Sequence, residues 1–257
     1  MAERPSSPAG LRTRLATGPA VVSTFVKLDA LEVVDLLAAT GLDAIVVDLE
    51  HSQLDEAAAR RLVRHATALG LPALVRVPEV DRGAINRILE AGAVGIQLST
   101  LTGVEQARAL RSACLYAPEG RRSVSLAQPG AGYGARPLAE LIAPDARPLL
   151  VGQIETATTT APLAELVALL DVAFVGVTDL SVDLGEGGDL SGPLLADRVA
   201  AIADAATQAS VAFGGWIPSP DRSSLLGSTA RYVTVGSDLG VLRAAIKNNF
   251  DHPQLEE

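Results

Sequence analysis

The 257-residue chain has one cysteine, Cys114, so it can form no intrachain disulfide and must hold its fold with a packed core. That usage fits a reducing, cytoplasmic compartment. There are only three histidines, and neither they nor Cys114 show the spacing of zinc ligands. Lysine occurs twice, at Lys27 and Lys247, against nineteen arginines. Schiff-base catalysis needs a lysine at the working site. Lys247 falls in a terminal helical pattern, and Lys27 stays open but unsupported. No basic run exceeds a doublet such as Arg121-Arg122, and the net charge is −9, so the positive footprint of a nucleic-acid binder is missing. No apolar stretch approaches the ~20 residues of a membrane span. Residues 1–14 mix Pro, Ser and charge without a hydrophobic segment, and are expected to be a flexible tail and not a signal peptide. Residues 251–257 read as a polar C-terminal tail.

What the chain does have is apolar content, 48% of its residues, mostly Ala, Val and Leu, which suits buried parallel strands covered by helices. Short Val- and Ile-rich runs predict strands at Val21–Val26, Ala44–Leu49, Ala73–Val77, Val94–Leu98, Leu149–Glu155, Val172–Thr178, Val211–Ile217 and Tyr232–Gly236. Helical patterns alternate with them at Leu31–Ala39, Glu56–Leu69, Ala84–Ala91, Val104–Ala113, Pro162–Leu170, Leu194–Ala209, Arg222–Leu226 and Val241–Asn249. Gly41, Gly70 and Gly92 fall just past helix ends, where a left-handed cap is wanted. Eight βα units predict a single α/β domain over residues 15–250, a closed (β/α)8 barrel. The competing Rossmann-type sheet lacks a Gly-x-Gly-x-x-Gly after its first strand. The Gly-rich stretch Gly185–Gly192 reads as a mobile loop, with a phosphate cradle as the other reading. Ala117–Ala146 is a second long insertion, and long loops in compact domains are usually functional or mobile.

In such barrels the active site is built at the C-terminal strand ends. Those ends carry Asp48, Glu50 and His51 on the second strand, Arg76 on the third, Gln153 and Glu155 on the fifth, Asp179 on the sixth, and Ser237 and Asp238 on the eighth. Each alone could be a solvated loop residue, and the reading rests on their coincidence. Glu155 and Asp179, one βα unit apart, form an oxygen donor pair for Mg2+ or Mn2+, or else a strand-end ion pair. His51 beside Asp48 and Glu50 suits acid/base work, though a loop histidine is often merely exposed. Arg76 can clamp a carboxylate, stabilise an oxyanion, or bridge to Asp48 or Glu50.

These segments resemble the HpcH/HpaI aldolase family, metal-dependent pyruvate aldolases related to the citrate lyase β chain. The likeness runs from about Val22 to Val241. It is carried by Thr24-Phe25-Val26-Lys27, Asp48-Leu49-Glu50-His51, Val75-Arg76-Val77-Pro78, Gln153-Ile154-Glu155-Thr156 and Asp179-Leu180-Ser181. The resemblance implies a divalent metal (Mg2+, Mn2+ or Co2+) on Glu155 and Asp179 and a pyruvate- or oxaloacetate-like 2-oxo acid with an aldehyde acceptor. It implies that Arg76 polarises the carbonyl and that His51, paired with Asp48, transfers protons. Substrate contacts are implied for Gln153, Phe25, Thr178 and the backbone of 177–179, with Glu50 and Ser99 as further positions. It also implies a homo-oligomer, a hexamer (dimer of trimers) whose paired subunits exchange the helix Val241–Asn249. The activity implied is aldol cleavage or formation of 4-hydroxy-2-oxo acids. Oxaloacetate decarboxylation, a citrate-synthase-like or biosynthetic condensation, and an inactive scaffold are the alternatives. The chain departs from the family pattern at Ser99 and Val177, where proline is usual, and at Ser123, where glycine is usual. All three are expected near the substrate pocket or its loops, and selectivity is expected to depend on loop residues such as Gln128–Tyr133.

Overall fold

The computed structural model describes Arg4 and residues 7–250. Eight parallel strands close a barrel in the order β1 to β8: Val21–Val26, Ala44–Asp48, Ala73–Val77, Gly95–Leu98, Leu149–Ile154, Val172–Val175, Ala212–Ile217 and Tyr232–Ser237. Between and after them run α2 (Leu31–Ala38), α3 (Glu56–Ala68), α4 (Arg82–Glu90), α5 (Val104–Cys114), α6 (Leu138–Leu141), α7 (Leu163–Val167), α8 (Val177–Asp183), α9 (Pro193–Gln208) and α10 (Asp238–Phe250). The (β/α)8 expectation holds.

The two-residue period of a strand explains how the barrel is filled and where its chemistry ends up. Outward residues such as Ile45, Val47, Val75, Ile96, Leu150 and Val175 join the helices in one core. Inward residues such as Val21, Phe25, Ala44, Val46, Leu74, Leu149, Val151, Val172 and Phe174 form a second core inside the barrel. Continuing the inward alternation toward the C-terminal ends puts Asp48 after Val46, Arg76 after Leu74 and Gln153 after Val151. β2 and β3 pair so that Asp48 stands directly opposite Arg76.

Several expectations need correction. The expected N-terminal tail instead contains α1 (Pro8–Thr17), capped by Ser7, whose hydroxyl accepts from the Gly10 amide. Leu11 is fully buried and Leu15 nearly so, both within the inner core, so α1 is a plug for the barrel. The plug was illegible because Pro, Ser and Arg surround two isolated leucines. Arg4 donates to the carbonyls of Ala38, Thr40 and Leu42. The expected tail 251–257 lies outside the described residues. The sixth strand stops at Val175, and the expected last strand residue, Thr178, and the strand-end Asp179 belong to the first turn of α8. An acidic residue there is favoured by the helix dipole. Residues Pro220–Leu226 are a 3-10 helix. Gly70 and Gly92 have φ of +66° and +115° as caps should, whereas Gly41 is not left-handed.

The phosphate-cradle reading of the Gly-rich loop fails for a specific reason. The Glu186 carboxylate accepts from the amides of Leu194 and Leu195, so the chain's own anion occupies the start of α9. α10 is unusual in the opposite sense. Only Asp238 is buried, while Val241, Leu242, Ile246 and Phe250 are 47–79% exposed.

Candidate active site

A cavity of about 160 Å3 opens at the C-terminal mouth, lined by Phe25, Lys27, His51, Arg76, Gln153, Phe174, Val177, Thr178, Asp179 and Trp216 among others. A larger one, about 560 Å3, lies at the other end of the barrel beside α1 and residues such as Gly70, Pro72, Val94 and Pro148 that precede the strands. The mouth is the better candidate, since it gathers the strand-end polar groups.

One wall is built from β1 to β3. The Arg76 guanidinium donates from Nε to Asp48 Oδ1 (2.8 Å) and from Nη2 to Oδ2 (2.6 Å), and its Nη1 lies 3.0 Å from Glu50 Oε2. Its Cζ also sits 4.3 Å from the centre of the Phe25 ring. This two-point fork, the cation–π contact and burial hold the guanidinium in one orientation. Burial by itself would push the Asp48 carboxyl up. Hydrogen bonds and charge from Arg76, the Glu50 amide and Lys27 overrule it and hold Asp48 below the usual carboxylate range.

The facing wall comes from β5 and α8. Glu155 Oε1 accepts from the Thr100 amide (2.8 Å) and hydroxyl (2.7 Å), and Oε2 accepts from Gln153. Gln153 in turn accepts from Gln97 Nε2 at 2.7 Å. Glu155 is pushed above the usual carboxylate range, first by burial and further by the charge of Asp179, with the bonds from Gln153 and Thr100 opposing. Two carboxylates that repel across a shared site are what an oxygen-bound divalent cation would relieve. Oε1 already accepts two bonds from Thr100, whereas Oε2 keeps a second lone pair beyond its bond from Gln153. Gly176 preserves the space: a Cβ there would come within 2.3 Å of Glu155 Oε2. The residues present therefore fit such a cation, which Glu155 and Asp179 would hold. Gly176→Ala is expected to displace that carboxylate and lower turnover by roughly 10²-fold with little loss of folding cooperativity, as checked by kinetics and thermal melts.

Most of the expected residues meet at the mouth, with differences in detail. The Asp48 carboxylate accepts from the His51 backbone N–H, not from its ring. The imidazole is about half exposed and its Nε2 lies 3.6 Å from Glu50 Oε2, so Glu50 is its nearest carboxylate. Ser99 is buried, bonds the Val77 carbonyl and lies outside the cavity lining. Val177 does line it. Ser123 does not; it is exposed and bonds Arg82 on α4. Gln128 and Gly130 border the cavity at the opposite end, and Tyr133 reaches Arg64 on α3, so this segment does not shape its own chain's mouth. The insertion follows a helix and precedes a strand, and αβ connections lie at the N-terminal face of a barrel.

One contributor, Thr100, was missed, and two others, Asp238 and Lys27, were named without the contacts they make. Thr100 grips Glu155 from a φ of +46°, a conformation a β-branched residue adopts only when its surroundings impose it. Nothing in its sequence setting signals this. Asp238 accepts from the amides of Lys27 and Leu28 and ties β1 to α10. Lys27 itself lines the cavity, its ammonium 3.2 Å from Asp48 Oδ2.

Comparison with known proteins agrees with this geometry. Residues 22–245 match the family described as HpcH/HpaI aldolase/citrate lyase. A hydroxypyruvate/pyruvate aldolase of Rhizorhabdus wittichii is 30% identical over 220 residues, covering 83% of this chain and 86% of that protein. A 4-hydroxy-4-methyl-2-oxoglutarate aldolase of Hapsidospora irregularis is 34% identical over 162 residues, covering 61% of this chain and 60% of that relative's length. The crystal structure of a family protein from Burkholderia cenocepacia superposes with a TM-score of 0.86 at 25% identity, over 95% of this chain and 98% of that one. The chain belongs to the HpcH/HpaI aldolase/citrate lyase family.

Proposed function

We propose that this protein is a divalent-cation-dependent carbon–carbon lyase that cleaves or forms 4-hydroxy-2-oxo acids by way of a pyruvate enolate. The observation that carries the reading is the placement of Arg76, Gln153 and Asp179 around one small cavity, with Glu155 bonded by Gln153 just behind it and within range of the Asp179 charge. Cleavage of the C3–C4 bond leaves its electron pair as an enolate with charge on the C2 oxygen. Glu155 and Asp179 would hold Mg2+, Mn2+ or Co2+, which when bound would supply Lewis-acid stabilisation of that charge.

The protein's own groups account for the rest. Arg76, locked by Asp48 and Phe25, presents fixed positive charge toward the developing oxyanion without reorganising. Gln153 Nε2 has a second hydrogen beyond its bond to Glu155, and the first-turn amides of α8 lack intrahelical acceptors. These donors hold the substrate carboxylate, with Thr178 beside them. His51, supported by Glu50, takes the C4 hydroxyl proton as the bond breaks to leave the aldehyde, and a proton returned to C3 of the enolate completes pyruvate. Phe25, Phe174, Val177 and Trp216 give the cavity apolar surface that limits water around the enolate.

The test is pyruvate release from a panel of 4-hydroxy-2-oxo acids with oxaloacetate included, after EDTA treatment and after return of each metal. Release that needs metal supports the reading. Decarboxylation of oxaloacetate with no aldol product would replace it with the decarboxylase alternative.

The bare apolar face of α10 is assigned to a second copy of the chain, in a hexamer whose paired subunits exchange this helix. Ile246→Glu with Phe250→Glu is expected to reduce the mass measured by light scattering. A monomeric wild-type protein would contradict the assignment. Among the described residues no helix is long and apolar enough to cross a membrane.

A further inference from the structure

One charged group at the mouth has no part in forming the enolate. Lys27 directly follows β1, and its backbone is fixed because the Asp238 carboxylate accepts from its amide (2.9 Å) and from that of Leu28 (3.0 Å). The side chain runs beside the Phe25 ring, with Nζ 6.0 Å from the ring centre, and is only 20% exposed. A lysine that served solubility would extend into water. This one is folded into the cavity wall.

Its bond to Asp48 does not explain it. Asp48 is already held at both oxygens by Arg76 and accepts from the amides of Glu50 and His51. Lys27 adds one longer contact, at 3.2 Å, to a carboxylate whose two oxygens Arg76 already holds. An ammonium has three donors, so up to two remain for whatever enters the cavity.

The topology says which part of a substrate that would be. In a closed barrel of eight strands, β1 stands opposite β5. The pyruvate half is assigned to the wall carrying Gln153, Glu155 and Asp179, and Arg76 on β3 lies between the two walls. The atoms beyond C3 therefore extend toward β1 and Lys27. An apolar tail there would cover the partly buried ammonium and leave the donors not turned to Asp48 without an acceptor, which is costly. A carboxylate would give it a charge-assisted bond in a cavity of about 160 Å3.

We infer that Lys27 is a specificity-determining residue that pairs with a second carboxylate at the far end of the substrate, so that the preferred substrates are dicarboxylic 2-oxo acids. The inference rests on the lyase reading for the orientation of the substrate, and it is tested by binding so that the two can fail separately.

Binding of 2-oxoglutarate and of 2-oxopentanoate, which carries a methyl group in place of the distal carboxylate, is measured by calorimetry with the full chain and saturating Mn2+. The wild type is expected to prefer the dicarboxylate by about tenfold or more, the size of one charge-assisted bond. Lys27→Met should erase that preference, and Lys27→Arg should restore part of it. A wild type that binds the two acids equally overturns the inference, whether or not any variant folds. So does a Lys27→Met protein that loses affinity for both acids in the same proportion, since that marks a structural role through Asp48. Absence of pyruvate release with the preference intact would sink the lyase reading and leave the assignment of Lys27 standing.

Discussion

Arg76→Ala is expected to lower pyruvate release by about 10²–10³-fold, the cost of removing one fixed oxyanion donor, and to destabilise the fold by about 3–5 kcal/mol, the cost of breaking a buried ion pair. Both effects have one origin. The guanidinium is 4% exposed and is the two-point partner of Asp48, which is fully buried. Its loss leaves Asp48 with Lys27 and two amides, and leaves Glu50 without its closest cation. Arg76→Lys should recover little of either effect, because an ammonium cannot donate to both Asp48 oxygens while facing the cavity.

The pH dependence follows from the Asp48 shift. Its folded value lies below its unfolded one, so the stabilisation is present above the unfolded value, near 4, and is lost as pH falls through the folded value. Wild-type stability should therefore fall on acidification below about pH 4 more steeply than that of Arg76→Ala, in which this linkage is weakened. Denaturant melts between pH 3 and 7, read beside steady-state rates, check both parts. An Arg76→Lys protein of wild-type rate and stability would refute the role given to the fork.

Glu155→Gln with Asp179→Asn is the second large effect expected. Neutral amides remove both anionic donors while keeping nearly the same shape. Turnover should drop by at least about 10³-fold, consistent with loss of several kcal/mol of charge stabilisation, and Mn2+ should no longer raise the melting temperature. The apo fold should be as stable as wild type or more so, because burial and the charge of Asp179 both disfavour the ionised form of Glu155. Metal titration calorimetry and apo melts separate the two consequences. A double variant that still binds Mn2+ tightly would remove these carboxylates from the metal site.

Much of this site could be read from the sequence because strand periodicity is strict. Once Val46, Leu74 and Val151 are inward, Asp48, Arg76 and Gln153 follow two residues later at the mouth. Loop geometry was less readable. The Asp48–Glu50–His51 sequence does not say that Asp48 turns to Arg76 and leaves the imidazole to Glu50, because that choice depends on the β2–β3 register. Thr100 bonds Glu155 across 55 residues from a backbone conformation its own type disfavours. The segment holding Gln128–Tyr133 had the composition of a substrate loop but precedes β5, which puts it at the other end of the barrel. Lys27 was visible but weighed only as an imine-forming lysine, and its closeness to Asp48 emerges when β1 and β2 pair.

The central claim is that Arg76 and a cation on Glu155 and Asp179 stabilise a pyruvate enolate, and enolate formation can be followed without knowing the acceptor. Pyruvate is incubated with the protein in D2O, and loss of the C3 methyl proton signal is followed by NMR. With Mg2+, Mn2+ or Co2+ present the wild type should accelerate exchange, EDTA should abolish that acceleration, and Arg76→Ala and Glu155→Gln should each show little of it. Exchange that proceeds equally in EDTA, or survives either substitution at the wild-type rate, would contradict the account.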